Sequence, residues 1–178
     1  MNNLTLNLIL LLSALFFTSC AKREEITNDN PAVPEQAIEQ FTVMETRHGK
    51  PSWTLDAASA QIIETEKIAI VQSPKIMFYQ EGKYVSTLVA ERGRINTETY
   101  DIWGEEKCIV TTAKGERLET RNLHYRSDIR KIITDEKVKL VRPQEIIYGQ
   151  GMEATPDLES IIIKKQRVEL KEGDEVKK

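Results

Sequence analysis

Cysteine and histidine are scarce in this sequence, which restricts the kinds of active site that it can build. There are two residues of each type among 178, and neither His48 nor His124 has a second ligand or a base partner at a recognisable spacing. The sequence also lacks a nucleophile elbow, a metal-ligand motif and a glycine-rich phosphate loop. We therefore expect no catalytic residues, no metal site and no cofactor.

Long runs of one charge are absent as well. The 25 lysines and arginines and the 28 acidic residues leave a net charge of -3 that is spread along the chain, which argues against a nucleic-acid partner. The carboxylates Glu105 and Glu106 are adjacent in sequence, so in a strand they point to opposite faces and form no catalytic dyad.

The one long apolar run lies at the start of the chain. Residues 4–17 are almost continuously apolar, which is shorter than the ~20 residues that a membrane helix needs. The run ends at Thr18, Ser19 and Cys20, and small residues before a cysteine resemble the cleavage site of a bacterial lipoprotein signal peptide. This implies a lipid on Cys20; the alternatives are a plain secretory signal and a buried apolar helix. With Cys20 lipidated, Cys108 has no intramolecular disulfide partner and is expected to be a small core residue.

Composition divides the rest of the chain into a linker, one domain and a short tail. After Cys20 come two prolines with Asn, Asp and charged residues and no apolar periodicity, which is typical of a flexible tether. The predicted divisions are residues 1–19 for the signal peptide, 20–37 for the lipidated tether, 38–171 for the domain and 172–178 for a charged tail. The domain is long enough to bury a moderate core.

A pattern of apolar residues recurs about every 30 residues in the domain, which indicates a repeated structural unit. Three leucines are each followed by an isoleucine, and a fourth isoleucine stands alone: Leu55 with Ile68, Leu88 with Ile102, Leu118 with Ile132, and Ile162. A unit of this length fits two short strands and their turns. Neighbouring β-layers then cover one another, and the two end layers keep unpaired backbone edges.

Strand signals dominate from Phe41 onward, because apolar and polar residues alternate and β-branched and aromatic residues are frequent. We expect an all-β, antiparallel, hairpin-rich domain. The predicted turn glycines are Gly49, Gly82, Gly93 and Gly115. Residues 34–40 are the only helix candidate.

Seven segments of the domain carry a family resemblance. They are residues 49–57 (GKPSWTLDA), 74–79 (PKIMFY), 88–93 (LVAERG), 102–104 (IWG), 112–120 (TAKGERLET), 123–125 (LHY) and 149–154 (GQGMEA). In their order and spacing over residues 41–170 they resemble the LptC family, the periplasmic component of bacterial lipopolysaccharide export, whose OstA-like domain is shared with LptA. The resemblance implies a twisted, partly open antiparallel β-jelly roll whose inward side chains line an apolar groove.

The alternating apolar positions of successive repeats are predicted to face inward and to line this groove. They are Ile76, Phe78, Leu88, Ile102, Val110, Leu118 and Tyr125. An open β-stack of this kind can shelter the acyl chains of lipopolysaccharide, because each methylene removed from water is worth ~0.8 kcal/mol. The alternative is that the same side chains meet and fill a closed core.

The resemblance implies a carrier and scaffold that is not an enzyme. It would take lipopolysaccharide from an inner-membrane ABC transporter and pass it to an LptA-like periplasmic bridge protein, with domains joined edge to edge. The predicted docking edges are the first strand, with Phe41 and Val43, for the transporter, and a last hairpin of residues 161–164 and 167–170, with Ile161, Ile163, Val168 and Leu170, for the bridge protein. A free periplasmic chaperone for lipids or lipoproteins is the alternative, and the unblunted terminal strands argue against it.

Two features depart from the family pattern. Many relatives are held by a transmembrane helix, whereas this chain is expected to be a periplasmic protein held at the inner membrane by the lipid on Cys20. Ala21 follows that cysteine, and a residue other than Asp there favours the outer membrane in enterobacteria, so the two signals point to different membranes. Residues 105–107 also indicate a bulge or a longer turn near Cys108.

Overall fold

The structure, a computed structural model, describes residues 36–171, and this part of the chain forms one antiparallel sheet of 12 strands. The strands are β1 (Gln36–Arg47), β2 (Lys50–Ile63), β3 (Ile68–Gln72), β4 (Lys75–Gln80), β5 (Lys83–Val89), β6 (Arg92–Asn96), β7 (Ile102–Thr112), β8 (Arg117–Arg126), β9 (Lys131–Val141), β10 (Glu145–Ala154), β11 (Ile161–Ile163) and β12 (Arg167–Leu170). Within these residues no helix is long and apolar enough to cross a membrane.

The long strands run through two layers of the sheet. Strand β2 pairs with β4 over residues 53–56 and with β3 over residues 59–63. Strand β7 likewise pairs with β5 over residues 109–112 and with β6 over residues 102–105. We call the layer with β4 and β5 the first layer and the layer with β3 and β6 the second layer. This antiparallel β-jelly roll confirms the predicted fold class.

Two rows of directly paired residues, one in each layer, form the core. The first-layer row is Leu55, Ile76, Leu88, Val110, Leu118, Leu140 and Ile147. The second-layer row is Ile95, Ile102, Tyr125, Ile132 and Ala154. All of them are buried, and each large aliphatic side chain contributes ~1.5–3 kcal/mol on burial. The sequence repeat thus has a structural origin, because its leucines share the first row and Ile102 and Ile132 share the second.

The long strands bend between the layers at β-bulges. The pairing of β7 with β8 shifts register between Glu105 and Cys108, where Glu106 and Lys107 adopt φ angles of 61° and 50°. An extra residue in one strand bends it and increases its twist. The bulge predicted from residues 105–107 is therefore confirmed.

Three of the four predicted turn glycines are correct. Gly49, Gly82 and Gly115 have φ angles of 74°, 78° and 82°, a region that most other residues avoid. Gly93 is not a turn residue, because it lies inside β6 and pairs with both Val71 and Gly104. A Cβ there would lie 2.9 Å from the backbone oxygen of Trp103, so glycine is required at position 93 for close strand packing.

The predicted helix over residues 34–40 is wrong for the part that the structure describes. Strand β1 begins at Gln36, which pairs with Ile62 of β2. A helix of one or two turns is unstable alone, whereas this segment gains main-chain hydrogen bonds along β2. Strand β1 therefore includes residues 36 and 37, which precede the predicted domain boundary at residue 38. The predicted signal peptide, Cys20, most of the tether and the charged tail lie outside the described residues.

Candidate functional site

An open cavity of about 550 Å³ lies between the turns at the ends of the two layers. The turns after β1 and β4 and the turn before β9 surround it, together with the loop after β10. Phe78 of the first layer and Tyr125 of the second meet at its floor, with ring centroids 4.8 Å apart. Burial raises the pKa of the Tyr125 phenol. The cavity therefore opens onto the junction of the two layers.

The seven predicted groove residues all face inward, and none is more than 2% exposed. Phe78 and Tyr125 line the cavity, and the other five lie deeper, in the rows that form the core. The structure thus brings the predicted residues together in one interior. Below the cavity floor, the side chains of the two layers within residues 36–171 pack against each other and leave no open groove. Their contact with acyl chains stays a prediction.

Charges of both signs surround the mouth of the cavity. Arg47, Lys50 and Arg130 line it together with Glu81 and two aspartates. Lys50 Nζ lies 2.7 Å from the Glu81 carboxylate, and this hydrogen bond lowers the pKa of Glu81. Because the charges are mixed, the rim suits a polar headgroup in contact with water more than a single bound anion.

Polar contacts between opposing turns join the layers at this end, and we call them the seam. Arg47 Nη2 lies 2.5 Å from Ser127 Oγ, and Lys114 Nζ lies 2.6 Å from Glu159 Oε1. Arg142 Nη2 also donates to the backbone oxygen of Leu158 at 3.4 Å. Lys114 and Glu159 form an exposed ion pair, which is worth only ~0–1 kcal/mol. The two arginine contacts are part-buried hydrogen bonds from a charged donor, worth ~1.5–3 kcal/mol each. The layers are therefore joined at the seam by a few polar contacts, in contrast to the apolar core beneath.

Strand β1 forms one end of the sheet. It pairs with β2 along its whole length, and within residues 36–171 no strand pairs with its other edge. Phe41 packs against the core, whereas Val43 and Met44 are exposed by 41% and 57%. The predicted first edge is present, and it is longer than expected because the strand starts at Gln36.

The other end of the sheet differs from the predicted hairpin. Strands β11 and β12 do not pair with each other; both pair with the outer edge of β10, over residues 152–154 and 145–148 respectively. They are two pieces of one interrupted edge strand, broken where Lys165 adopts a φ angle of 46°. Ile161 and Ile163 lie in the first piece, and Val168 and Leu170 in the second.

Gly149 sets how closely this edge strand can approach β10. A Cβ at this position would lie 2.1 Å from Ile163 Cγ2 and 2.8 Å from the backbone oxygen of Lys164. We expect Gly149→Ala to push β11 away from β10 and to destabilise the domain by about 1–3 kcal/mol, the usual cost of overpacking. Hydrogen exchange should then be faster in residues 161–164. A matched Gly149→Ala/Ile163→Ala double variant should recover part of the loss, and unchanged exchange in the single variant would contradict this role.

His124 has a partner that spacing did not reveal. Its Nε2 lies 3.2 Å from Asp101 Oδ2, and its ring stacks on Trp103 at a centroid distance of 4.5 Å. Asp101 also accepts a hydrogen bond from the backbone N–H of Ser127, whose hydroxyl is bonded to Arg47. The pair lies on the outer face and is engaged in structural contacts. Among residues 36–171 no three His, Cys, Asp or Glu side chains cluster as a metal site.

Cys108 is a core residue, as predicted. It is 1% exposed, and burial raises the pKa of its thiol to about 12. Its Sγ–H donates to the backbone oxygen of Arg121 at 3.4 Å. A neutral thiol in this position is a poor nucleophile.

Comparisons with known proteins agree with this architecture. Residues 4–169 match the family model described as "Lipopolysaccharide-assembly, LptC-related". A similar solved structure is that of LptH, the LptA-homologous periplasmic component of the lipopolysaccharide transport device of Pseudomonas aeruginosa. It has a TM-score of 0.51 and 8% sequence identity, over 81% of this chain and 100% of that one, so the likeness is one of fold. No curated protein matches the chain in sequence.

Proposed function

Because this chain belongs to the LptC-related family of lipopolysaccharide-assembly proteins, we propose that it receives lipopolysaccharide from an inner-membrane ABC transporter and passes it to an LptA-like periplasmic bridge protein. Family membership makes the protein a periplasmic component of lipopolysaccharide transport. The handover, the partners and the non-enzymatic mode of action are the proposal. The observation that carries it is the cavity whose floor, formed by Phe78 and Tyr125, lies directly on the apolar core.

The interior suits acyl chains for a simple energetic reason. Each methylene that leaves water contributes ~0.8 kcal/mol, and lipopolysaccharide carries many of them. The inward rows supply an apolar surface along both layers, and the seam that closes them includes only a few polar contacts. Acyl chains can therefore replace contacts between the layers with contacts of similar chemistry, while the sugars and phosphates stay at the charged rim.

The two sheet ends supply the docking edges of this proposal. An unpaired edge accepts a partner strand through main-chain hydrogen bonds. Strand β1 offers 12 residues for pairing, and we assign it to the transporter. We assign the interrupted edge of β11 and β12 to the bridge protein. The alternative, a free periplasmic chaperone, fits less well because a monomer is expected to blunt such edges. Co-purification with inner-membrane transporter subunits would separate the two.

The anchor completes the proposal. Lipid attachment at Cys20 would hold the domain at the inner membrane, close to the transporter, with residues 21–35 as a spacer between them. The apolar run that ends at Ser19 and the tether composition support it.

Photo-crosslinking tests the lipid-binding surface directly. An aromatic photo-crosslinker at Phe78 or Tyr125 should capture lipopolysaccharide, because both side chains line the cavity and the substitute is aromatic as well. The same group at Lys75 or Glu119 should not, because these positions face outward. Capture is measured by immunoblotting after irradiation of cells. Equal capture at both sets of positions would rule out the inward surface as the lipid site.

A further inference from the structure

We infer that the indole N–H of Trp53 and the hydroxyl of Ser86 form a binding pair for acyl carbonyl oxygens, the ester or amide groups that join fatty acids to a lipid headgroup. This inference rests on the proposed function and gives it a chemical detail: which part of the lipid is held at which depth. It assigns a recognition role to two side chains that the apolar pattern alone would count as core.

Both polar atoms are buried without a hydrogen-bond partner among the residues that the structure describes. Trp53 is 1% exposed and Ser86 is fully buried, and neither Trp53 Nε1 nor Ser86 Oγ is bonded. Buried donors are nearly always paired, because an unmade hydrogen bond in an apolar environment is costly. Two such donors on the same face of the sheet, one on either side of Phe78, indicate a surface built to bind an acceptor.

The two side chains lie beside Phe78, which lines the cavity, although neither of them lines it directly. Trp53 of β2 pairs directly with Phe78 of β4, and Phe78 pairs directly with Ser86 of β5. Residues directly opposite in a sheet share a face, so all three point inward. Neighbouring strands lie ~4.8 Å apart, which places the Trp53 and Ser86 backbones about 10 Å from each other on either side of Phe78.

Depth along the strands gives the second argument. Two residues further in, the same three strands carry Leu55, Ile76 and Leu88, which are entirely apolar. In the other direction, Lys50 and Glu81 lie at the charged rim. The Trp53–Phe78–Ser86 row is therefore the boundary between charge and hydrocarbon.

An acylated lipid has the same three zones in the same order. Its charged headgroup is followed by ester or amide carbonyls and then by alkyl chains. Indole Nε1–H can only donate a hydrogen bond and a hydroxyl can donate one, whereas an ester carbonyl can only accept. When lipid parts the layers at the seam, its carbonyls reach the two donors as its chains enter the apolar rows.

Two other buried atoms without a partner help to define the pair. Thr54 Oγ1 is also unbonded, but Thr54 alternates with Trp53 and Leu55 and so faces outward, beside Met44 and Met77. It therefore provides a matched control. Glu45 of β1 pairs directly with Trp53, and its Oε2 can only accept a hydrogen bond. It therefore cannot bind a carbonyl oxygen and instead competes with it for the indole N–H.

Nuclear magnetic resonance of the tryptophan side chain tests the pair. The chain has two tryptophans, so Trp103→Phe in the full chain leaves the Trp53 indole as the only such signal. The probes are a short-chain diacyl phosphatidylglycerol and its dialkyl ether analogue of equal chain length, which lacks the carbonyls. We expect the indole proton to move downfield with the ester lipid only. We also expect the ester to bind about tenfold more tightly than the ether, as two modest hydrogen bonds would give.

Side-chain variants show which donor causes the difference in affinity between the ester and the ether lipid. Ser86→Ala should lower the affinity for the ester lipid about threefold and leave the affinity for the ether lipid unchanged. Thr54→Val should change neither. Equal binding of both lipids with an unmoved indole proton would overturn the carbonyl pair while leaving the proposed function in place. An indole proton that is already downfield without lipid would show that it bonds to Glu45, and this would also overturn the carbonyl pair. Failure of both lipids to bind would overturn the inference together with the lipid-binding function.

Discussion

A proline at position 168 is expected to weaken binding of the bridge protein by about 30-fold or more while the domain stays folded. The backbone N–H of Lys171 donates to the oxygen of Gln144 at 3.0 Å, in the register that pairs Val168 with Ile147. Bonded and non-bonded pairs alternate in an antiparallel ladder. The N–H groups of Arg167, Glu169 and Lys171 therefore face β10, and that of Val168 faces the free edge.

Val168→Pro thus removes a donor that has no acceptor among the strands of residues 36–171 and that a partner strand can use. Proline also blocks close approach of that strand. Each main-chain hydrogen bond is worth ~1 kcal/mol net, and losing two or three of them weakens binding by about 30-fold to 150-fold. Calorimetric titration with the bridge protein measures the loss, and circular dichroism confirms that the sheet is intact. The transporter contact, assigned to β1, should be unchanged.

Glu169→Pro is the matched control, because it removes a donor that faces β10. It should detach β12 and lower the stability of the domain, which Val168→Pro should not do. If a folded Val168→Pro protein binds the bridge protein normally, the edge of β11 and β12 is not its docking site. If that variant does not fold, lysines at Ile163 and Val168 test the same edge, because docking of a partner strand would bury their charges without counter-ions.

The inward surface could be predicted from the sequence because it depends on the local period of the strands. Alternation at period 2 fixes which side chains share a face, and the turn glycines at 49, 82 and 115 fix where strands end. All seven predicted groove residues accordingly face inward. The leucine and isoleucine repeat also indicated the pairing of successive layers.

Features that depend on distant parts of the chain could not be predicted. Residues 36–40 form a strand because β2 offers them a partner, and nothing within the segment signals it. The prediction of a last hairpin was wrong for the same reason, because β11 and β12 each pair with β10. Gly149 allows this pairing by leaving space for Ile163 beside β10. His124 and Asp101 meet across 23 positions. Trp53 and Ser86 are adjacent to Phe78 only through the register of three strands.

Replacing Cys20 with alanine is expected to leave an unprocessed precursor and to abolish labelling of the protein with radioactive palmitate. The cysteine is both the cleavage signal and the acceptor of the lipid in the proposed anchor, so no partial labelling is expected. The sequence offers no second candidate, because Cys108 is buried with its pKa raised to about 12. Labelling that persists in the Cys20→Ala protein would show that the anchor is wrong.

The same variant separates tethering from transport. A tether acts by raising the local concentration of the domain near its partners, by an amount that depends on the linker and not on the chemistry of the anchor. The Cys20→Ala chain fused to an unrelated transmembrane helix should therefore restore lipopolysaccharide export, measured as lipopolysaccharide at the cell surface, whereas a soluble Cys20→Ala chain cleaved by an ordinary secretory signal should not. Failure of the fused chain, with its domain folded and exported, would mean that the lipid itself takes part in the transfer. Full export by the soluble chain would favour the free periplasmic chaperone.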